Sequence, residues 1–146
     1  MHDLLQRVEA LLANESDPIA NAANLAAEVF HSVDRINWCG FYFLKQDDLV
    51  LGPFHGKAAC TRIALDRGVC GAAARLRQTQ LVPDVHAFPG HIACDTASRS
   101  ELVVPLISGD RLLGVLDVDS PHLNRFSDAD RRLFEQLAAI YVASLE

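Results

Sequence analysis

Residues 101–119 read ELVVPLISGDRLLGVLDVD, which is two apolar runs separated by Gly109-Asp110. A glycine and an aspartate between two apolar runs are typical of a tight turn between antiparallel strands. The stretch therefore predicts a hairpin with one strand at 101–108 and the other at 111–119. Because both runs are strongly apolar, we expect this hairpin to form the middle of a sheet.

Helix patterns lie at both ends of the chain. Residues 1–13 and 18–31 carry apolar stripes at helical spacing, and Ser127 starts a capping box that predicts a terminal helix over 128–143. The order predicts an α+β fold, an antiparallel sheet of five or six strands covered by terminal helices, in one domain over 1–146. The other expected elements are a strand at 36–44, a turn at Asp47-Asp48, a strand at 49–54, a short helix at 71–77 and a strand at 80–85.

The composition argues against several classes of partner. The 146 residues include 19 acidic and 13 basic side chains, for a net charge of −6. This balance repels phosphate backbones and anionic lipids, so we expect neither nucleic acid nor a membrane as a partner. No run approaches the roughly 18 apolar residues that a membrane span needs, and the first residues lack the basic region of a signal peptide. We therefore expect a cytoplasmic protein.

Three carboxylates, Glu101, Asp117 and Asp119, lie at one end of the predicted hairpin. Asp117 and Asp119 share a face because side chains alternate along a strand, and a turn centred on Gly109-Asp110 places Glu101 beside them. Crowded carboxylates in a partly dry site either bind a cation or retain a proton, and the protonated member then acts as a general acid. A polar strand end at the surface is the alternative interpretation.

The chain has four cysteines and no secretory signal, which favours reduced thiols with a role in catalysis, metal binding or redox chemistry. Cys94 lies in HAFPGHIACD at residues 86–95, within a glycine- and proline-rich segment of loop character. A lowered pKa makes a thiol nucleophilic, and His86 or His91 could lower it. Cys94 is thus the candidate nucleophile, with a structural cysteine as the alternative. The four are Cys39, Cys60, Cys70 and Cys94.

Zinc is a second interpretation of the thiols and imidazoles, because the chain supplies both ligand types. However, the chain contains neither a Cys-x2-Cys knuckle nor a His-Glu-x-x-His motif, so we predict no metal site. The residues considered are His55, Cys60, Cys70, His86, His91 and Cys94.

Trp38 and Tyr42 share one face of the predicted strand at 36–44. Their rings would form an apolar wall for a methyl group, or they would pack in the core.

Several motifs punctuate the chain: GPFHGKAAC at 52–60, GVCG at 68–71, VPDVHAFPGHIACD at 82–95, SELVVPL at 100–106, GVLDVDSP at 114–121 and RFS at 125–127. Together they resemble those of the free methionine-(R)-sulfoxide reductases. The resemblance covers nearly the whole chain and ends in the last helix. It implies a GAF fold, with a six-stranded antiparallel sheet between helices and a pocket on one face of the sheet. We expect no cofactor.

The same resemblance implies roles for three of the cysteines. Cys94 would attack the sulfoxide, Cys60 would resolve the intermediate, and Cys70 could also form a disulfide. Methionine and a sulfenic acid would result, a second thiol would convert the sulfenic acid to a disulfide, and thioredoxin or a similar dithiol would reduce it. Cys39 falls outside this set, and we expect it to be a core thiol of the first strand.

The resemblance also places Glu101, Asp117 and Asp119 in the substrate site, together with Trp38 and Tyr42. One acid would balance the substrate ammonium and one would supply a proton to the sulfoxide oxygen, and the sequence leaves the assignment open. The family implies a homodimer. A GAF sensor that binds a small ligand without turnover is the alternative function, because the fold alone does not determine the chemistry.

Overall fold

The computed structural model describes residues 2–91 and 97–146. All neighbouring strands of its six-stranded sheet are antiparallel, in the order β3-β2-β1-β6-β5-β4. The predicted α+β architecture is confirmed. The elements are α1 (His2–Leu12), α2 (Pro18–Ser32), β1 (Trp38–Lys45), β2 (Asp48–Gly56), β3 (Arg62–Ala64), α3 (Gly68–Leu76), β4 (Gln80–Val82), a 3-10 turn (Val85–Ala87), β5 (Ser100–Ser108), β6 (Arg111–Ser120) and α4 (Asp128–Ser144).

Helices α1, α2 and α4 cover one face of the sheet. Asp17 accepts hydrogen bonds from two backbone N–H groups of α2, and Ser127 with Asp130 forms the predicted capping box of α4. Their apolar stripes pack on alternate residues of the strands, among them Phe41 and the fully buried thiol Cys39. The expectation that Cys39 is a core thiol is confirmed. No helix in the described part of the chain has the length and apolar character needed to cross a membrane.

The hairpin that decides the fold forms as predicted. Glu101 pairs with Asp119 and Ser108 pairs with Arg111, with one irregularity after Leu106. The two middle strands of the sheet are β1 and β6, so β5 lies one place away from the centre. This arrangement leaves β6 hydrogen-bonded on both sides, which fixes the position of its acidic end.

Three local predictions differ from the structure. The first turn is Gln46-Asp47, with Gln46 at φ 58°, and Asp48 already pairs with Lys45. The strand predicted at 80–85 ends at Val82, because Pro83 has no N–H for the ladder and Asp84 instead accepts a hydrogen bond from the His86 N–H in the 3-10 turn. Helix α3 spans Gly68–Leu76, whereas the sequence predicted 71–77. Strand β3 was not predicted, because its three residues are too few to form a recognisable sequence pattern.

Candidate functional site

The other face of the sheet forms a pocket beneath α3. Three strands contribute its polar and aromatic side chains by alternation, and the structure brings together there all five of the acidic and aromatic residues singled out in the sequence. The lining residues are Trp38, Tyr42, Glu101, Asp117 and Asp119 from the strands, together with Ala59, Ile63, Gly68, Val69, Cys70, His91 and Ser98.

The floor of the pocket is an acidic cluster with a thiol against it. Glu101 and Asp119 face each other across β5 and β6, and Asp117 projects from the same face two residues earlier. Helix α3 brings Cys70 onto this cluster. Its Sγ lies 3.5 Å from Asp117 Oδ2 and 4.0 Å from Glu101 Oε2, in the geometry of a thiol that donates to carboxylates.

The protonation of Asp117 is perturbed by its surroundings. Burial raises its pKa well above the ordinary range, and the charges of Asp119, Cys70 and Glu101 and a hydrogen bond with Glu101 raise it further. Within the described residues, its Oδ1 is buried and accepts no hydrogen bond. These observations indicate that Asp117 retains its proton to a higher pH than an ordinary aspartate does.

The thiols of Cys70 and Cys39 are both poor nucleophiles. Burial raises the pKa of Cys70, as do the charges of Glu101 and Asp119, against an opposing hydrogen bond with Asp117. Burial and then the charge of Asp119 raise the pKa of Cys39. Both therefore remain protonated at neutral pH.

The remaining cysteines are Cys60 and Cys94. Cys60 is disulfide-bonded, and it follows the pocket residue Ala59. Cys94, the predicted nucleophile, lies outside the described residues.

One wall of the pocket is a stack of aromatic rings. Trp38 stacks on Tyr42 with ring centroids 6.0 Å apart and on Phe54 with centroids 5.3 Å apart. Gly40 makes this stack possible, because a Cβ there would lie 2.3 Å from Phe54 Cβ and 2.8 Å from Trp38 Cη2. The residue between Trp38 and Tyr42 on this face must therefore have no side chain.

Two hydrogen bonds attach the aromatic wall to the segment before β3. Trp38 Nε1 donates to the carbonyl of Lys57 at 3.0 Å, and the Tyr42 hydroxyl donates to the carbonyl of Cys60 at 2.9 Å. Burial raises the pKa of Tyr42, and the charge of Asp117 adds to the effect, so the hydroxyl stays a donor. The wall thus fixes the backbone at the disulfide-bonded cysteine.

Sequence reasoning did not assign Ser98 to the site, although it lies four residues after Cys94. Its Oγ accepts a hydrogen bond from Asn37 Nδ2 at 3.1 Å, and the Asn37 N–H donates to the carbonyl of Asp119 at 3.0 Å. Ser98 and His91, on either side of residues 92–96, both line the pocket. The sequence signal for both residues was that each is a polar residue close to the candidate nucleophile Cys94, one on either side of it.

The histidines considered in the sequence occupy different places. His91 lines the pocket, whereas His86 is exposed, with its ring centroid 6.0 Å from that of His91. His55 packs against Phe30 and His31 of α2, on the helix-covered side. The described members of the set considered for zinc are therefore not gathered at one place.

Comparison with known proteins identifies the class. The family model of the GAF domain matches residues 19–146, so the fold and the sequence both define a GAF-domain protein. The free methionine-R-sulfoxide reductase of Escherichia coli (strain K12) is 50% identical over 137 residues, which is 94% of this chain and 83% of the relative. The chain belongs to the free methionine-R-sulfoxide reductase family.

Solved structures agree with this assignment. The free methionine-R-sulfoxide reductase of Neisseria meningitidis in complex with its substrate has a TM-score of 0.95 at 45% identity, covering 99% of this chain and 87% of that one. A Burkholderia vietnamiensis protein described as a candidate GAF sensor has a TM-score of 0.95 at 56% identity, with 99% and 94% covered. Its description corresponds to the alternative function that the sequence left open.

Proposed function

We propose that this chain reduces free methionine-R-sulfoxide to methionine with its cysteine thiols. The observation that carries the proposal is the pocket in which an acidic cluster, an aromatic wall and Cys70 face one another. The family membership supports it, and so does the neighbour from Neisseria meningitidis, whose structure holds its substrate.

The pocket supplies complementary groups for a free amino acid. The ammonium group would bind to the carboxylates at the ends of β5 and β6, where Glu101 and Asp119 are paired. The sulfoxide methyl group would lie against Trp38 and Tyr42, whose stacked rings form the apolar wall. The acidic floor of the pocket favours a free ammonium group. Free methionine sulfoxide has this group, whereas a methionine sulfoxide within a peptide lacks it.

The proposed reaction begins at Cys94. Its thiolate attacks the sulfoxide sulfur while the sulfoxide oxygen takes up one proton. The S–O bond of the substrate breaks, its oxygen passes to the Cys94 sulfur, and methionine leaves, so the sulfoxide is reduced to the thioether and the thiolate is oxidised to a sulfenic acid. The Cys60 thiol then displaces the sulfenic oxygen as water, which forms a disulfide, and Cys70 is a second candidate for this step. The disulfide at Cys60 supports its redox role, and the raised pKa of Cys70 disfavours it as the attacking thiol.

The acidic cluster would supply the proton to the sulfoxide oxygen. The raised pKa of Asp117 means that it holds a proton more tightly than an ordinary aspartate, and Asp119 is the less buried neighbour on the same face. Carboxyls this close titrate together, so a proton stored at Asp117 is available to Asp119. We assign Asp119 as the donor to the sulfoxide oxygen and Glu101 as a partner of the ammonium.

The remaining features of the proposal concern the setting of the reaction. Thioredoxin or a similar dithiol in the cytoplasm would return the disulfide to thiols. The chain would act as one domain over 1–146 and as a homodimer. Light scattering after gel filtration tests the dimer, which requires twice the mass of one chain.

The test of the function is NADPH consumption with thioredoxin, thioredoxin reductase and free methionine-R-sulfoxide. Wild-type protein and a Cys39→Ala variant should both turn over, because Cys39 lies on the helix-covered face. A Cys94→Ser variant should lose the activity while remaining folded. Binding of the substrate without NADPH consumption would instead identify a sensor.

Substrate form provides a second test. A methionine-R-sulfoxide with an acetylated amine and an amidated carboxyl group should be a poor substrate, because it has no ammonium group for the acidic floor. Comparable rates on the free and blocked compounds would contradict the assignment of the acids.

A further inference from the structure

Three side chains in the pocket have the types and spacing of metal ligands. Cys70 Sγ, one oxygen of Glu101 and one of Asp117 all lie within 4.8 Å of one another. They come from α3, β5 and β6, so three separate elements hold them in place. The sequence suggested a cation at the carboxylates but did not join Cys70 to them, because the three residues are 31 and 16 positions apart and form no ligand motif.

The distances fit a tetrahedral zinc ion. Zinc–sulfur bonds of about 2.3 Å and zinc–oxygen bonds of about 2.0 Å place sulfur and oxygen about 3.5 Å apart in a tetrahedron. The distance from Cys70 Sγ is 3.5 Å to Asp117 Oδ2 and 4.0 Å to Glu101 Oε2. Three protein ligands with the fourth position open to a pocket are a common zinc arrangement.

The buried carboxyl group of Asp117 independently supports a cation site at this cluster. Asp117 is only 5% exposed, and its Oδ1 accepts no hydrogen bond from the described residues. The pocket also contains Asp119, and the only basic side chain among the lining residues that the structure describes is His91. In the described part of the lining, three carboxyl groups and a thiol therefore share one basic side chain.

We propose that the reduced protein binds one thiophilic divalent cation, such as Zn²⁺, through Cys70, Glu101 and Asp117. The ion occupies the place of the substrate ammonium, so it inhibits by competition with substrate. Binding of the ion does not depend on the proposed function, whereas the inhibition rests on it.

The binding test uses the whole chain, reduced and freed of reductant and metal, titrated with Zn²⁺ against a chromophoric chelator. We expect one equivalent to bind, with affinity lowered roughly tenfold or more by Cys70→Ser and by Glu101→Gln, a change at a partly buried residue. Two control variants should bind as wild type. Cys39→Ala removes a buried thiol from the opposite face, and His55→Ala removes an imidazole that packs beside His31.

Cadmium in place of zinc shows which thiol is the ligand. A thiolate bound to Cd²⁺ absorbs in the ultraviolet, and the Cys70→Ser variant should lose this band. A band that persists in Cys70→Ser, or zinc affinity that falls only in His55→Ala, would overturn the proposal.

Inhibition is measured in a single turnover of reduced protein. Thioredoxin and thioredoxin reductase are then absent from the assay, so zinc cannot act on them. Zn²⁺ should raise the substrate concentration for half-maximal methionine formation without changing the maximal rate. If the chain forms no methionine, the binding result alone decides the proposal and the proposed function fails separately. If it forms methionine but binds no zinc, only the metal site is refuted.

Discussion

The central strands of the sheet place their side chains in two opposite environments. Along β6, Leu116 and Val118 are fully buried among the helices, whereas Asp117 and Asp119 project into the pocket. On the helix-covered face the strand side chains pack against the apolar stripes of the helices, which stabilises the fold. On the pocket face a carboxyl group is buried with an oxygen that accepts no hydrogen bond within the described residues, which costs stability.

The two buried thiols, Cys39 and Cys70, show the same contrast between the two faces of the sheet. Cys39 and Cys70 both have raised pKa values, with burial as the first cause in each. Cys39 is surrounded by apolar side chains, whereas Cys70 contacts Asp117 and lies near Glu101. A buried thiol is thus a core residue on one face and part of a reactive cluster on the other. We expect substitutions on the helix-covered face to change stability and substitutions on the pocket face to change chemistry.

The largest expected effect is on stability. Leu106 on β5 is fully buried in the helix-covered core. Leu106→Ala should lower the free energy of unfolding by roughly 2–5 kcal/mol, the usual cost of a cavity of this size. Denaturant unfolding measures the loss, and the activity per folded molecule should stay at the wild-type level. A fall in that activity would mean that the two faces are not independent.

The next effect is on rate. Asp119→Asn should slow the formation of methionine by reduced protein in a single turnover by roughly 10²-fold or more, because it removes a general acid. The change is nearly isosteric, so the unfolding midpoint should stay close to that of the wild type. An unchanged single-turnover rate would show that Asp119 is structural and would leave Asp117 or Glu101 as the donor.

The acidic face was largely predictable from sequence, because its geometry follows from one hairpin. A turn at Gly109-Asp110 and the alternation of a strand are sufficient to place Glu101 opposite Asp119, as observed. The position of Cys70 was not predictable, since it depends on how α3 packs over the sheet. Ser98 was missed for a similar reason, because its hydrogen bond with Asn37 joins segments 61 residues apart.

A smaller effect concerns the pH dependence of stability. A carboxyl group whose pKa is raised on folding binds more protons in the folded state, so stability falls as the pH rises from about 4 toward the raised pKa. Asp117→Asn should remove this loss. The variant should melt above the wild type at pH 8, by roughly 2–4 °C for each kcal/mol recovered, and the difference should shrink as the pH falls toward 4. A lower melting temperature at pH 8 would mean that an ionised Asp117 is stabilised within the fold.

The smallest effect separates two tyrosines that make the same hydrogen bond on opposite faces. Tyr42 donates to the carbonyl of Cys60 and Tyr141 donates to the carbonyl of Pro18, each at 2.9 Å. Replacing either by phenylalanine should cost about 1 kcal/mol of stability, since each change leaves a carbonyl without its donor.

Only Tyr42→Phe should also affect the redox cycle, because its partner is the backbone of the disulfide-bonded Cys60. In a single turnover, we expect methionine to form at the wild-type rate in both variants, while the disulfide forms more slowly in Tyr42→Phe alone. Quenching with a thiol-alkylating reagent and counting free thiols by mass spectrometry measures the second step. Equal rates of disulfide formation in Tyr42→Phe and Tyr141→Phe would show that the Tyr42 hydroxyl, like that of Tyr141, serves only the stability of the fold.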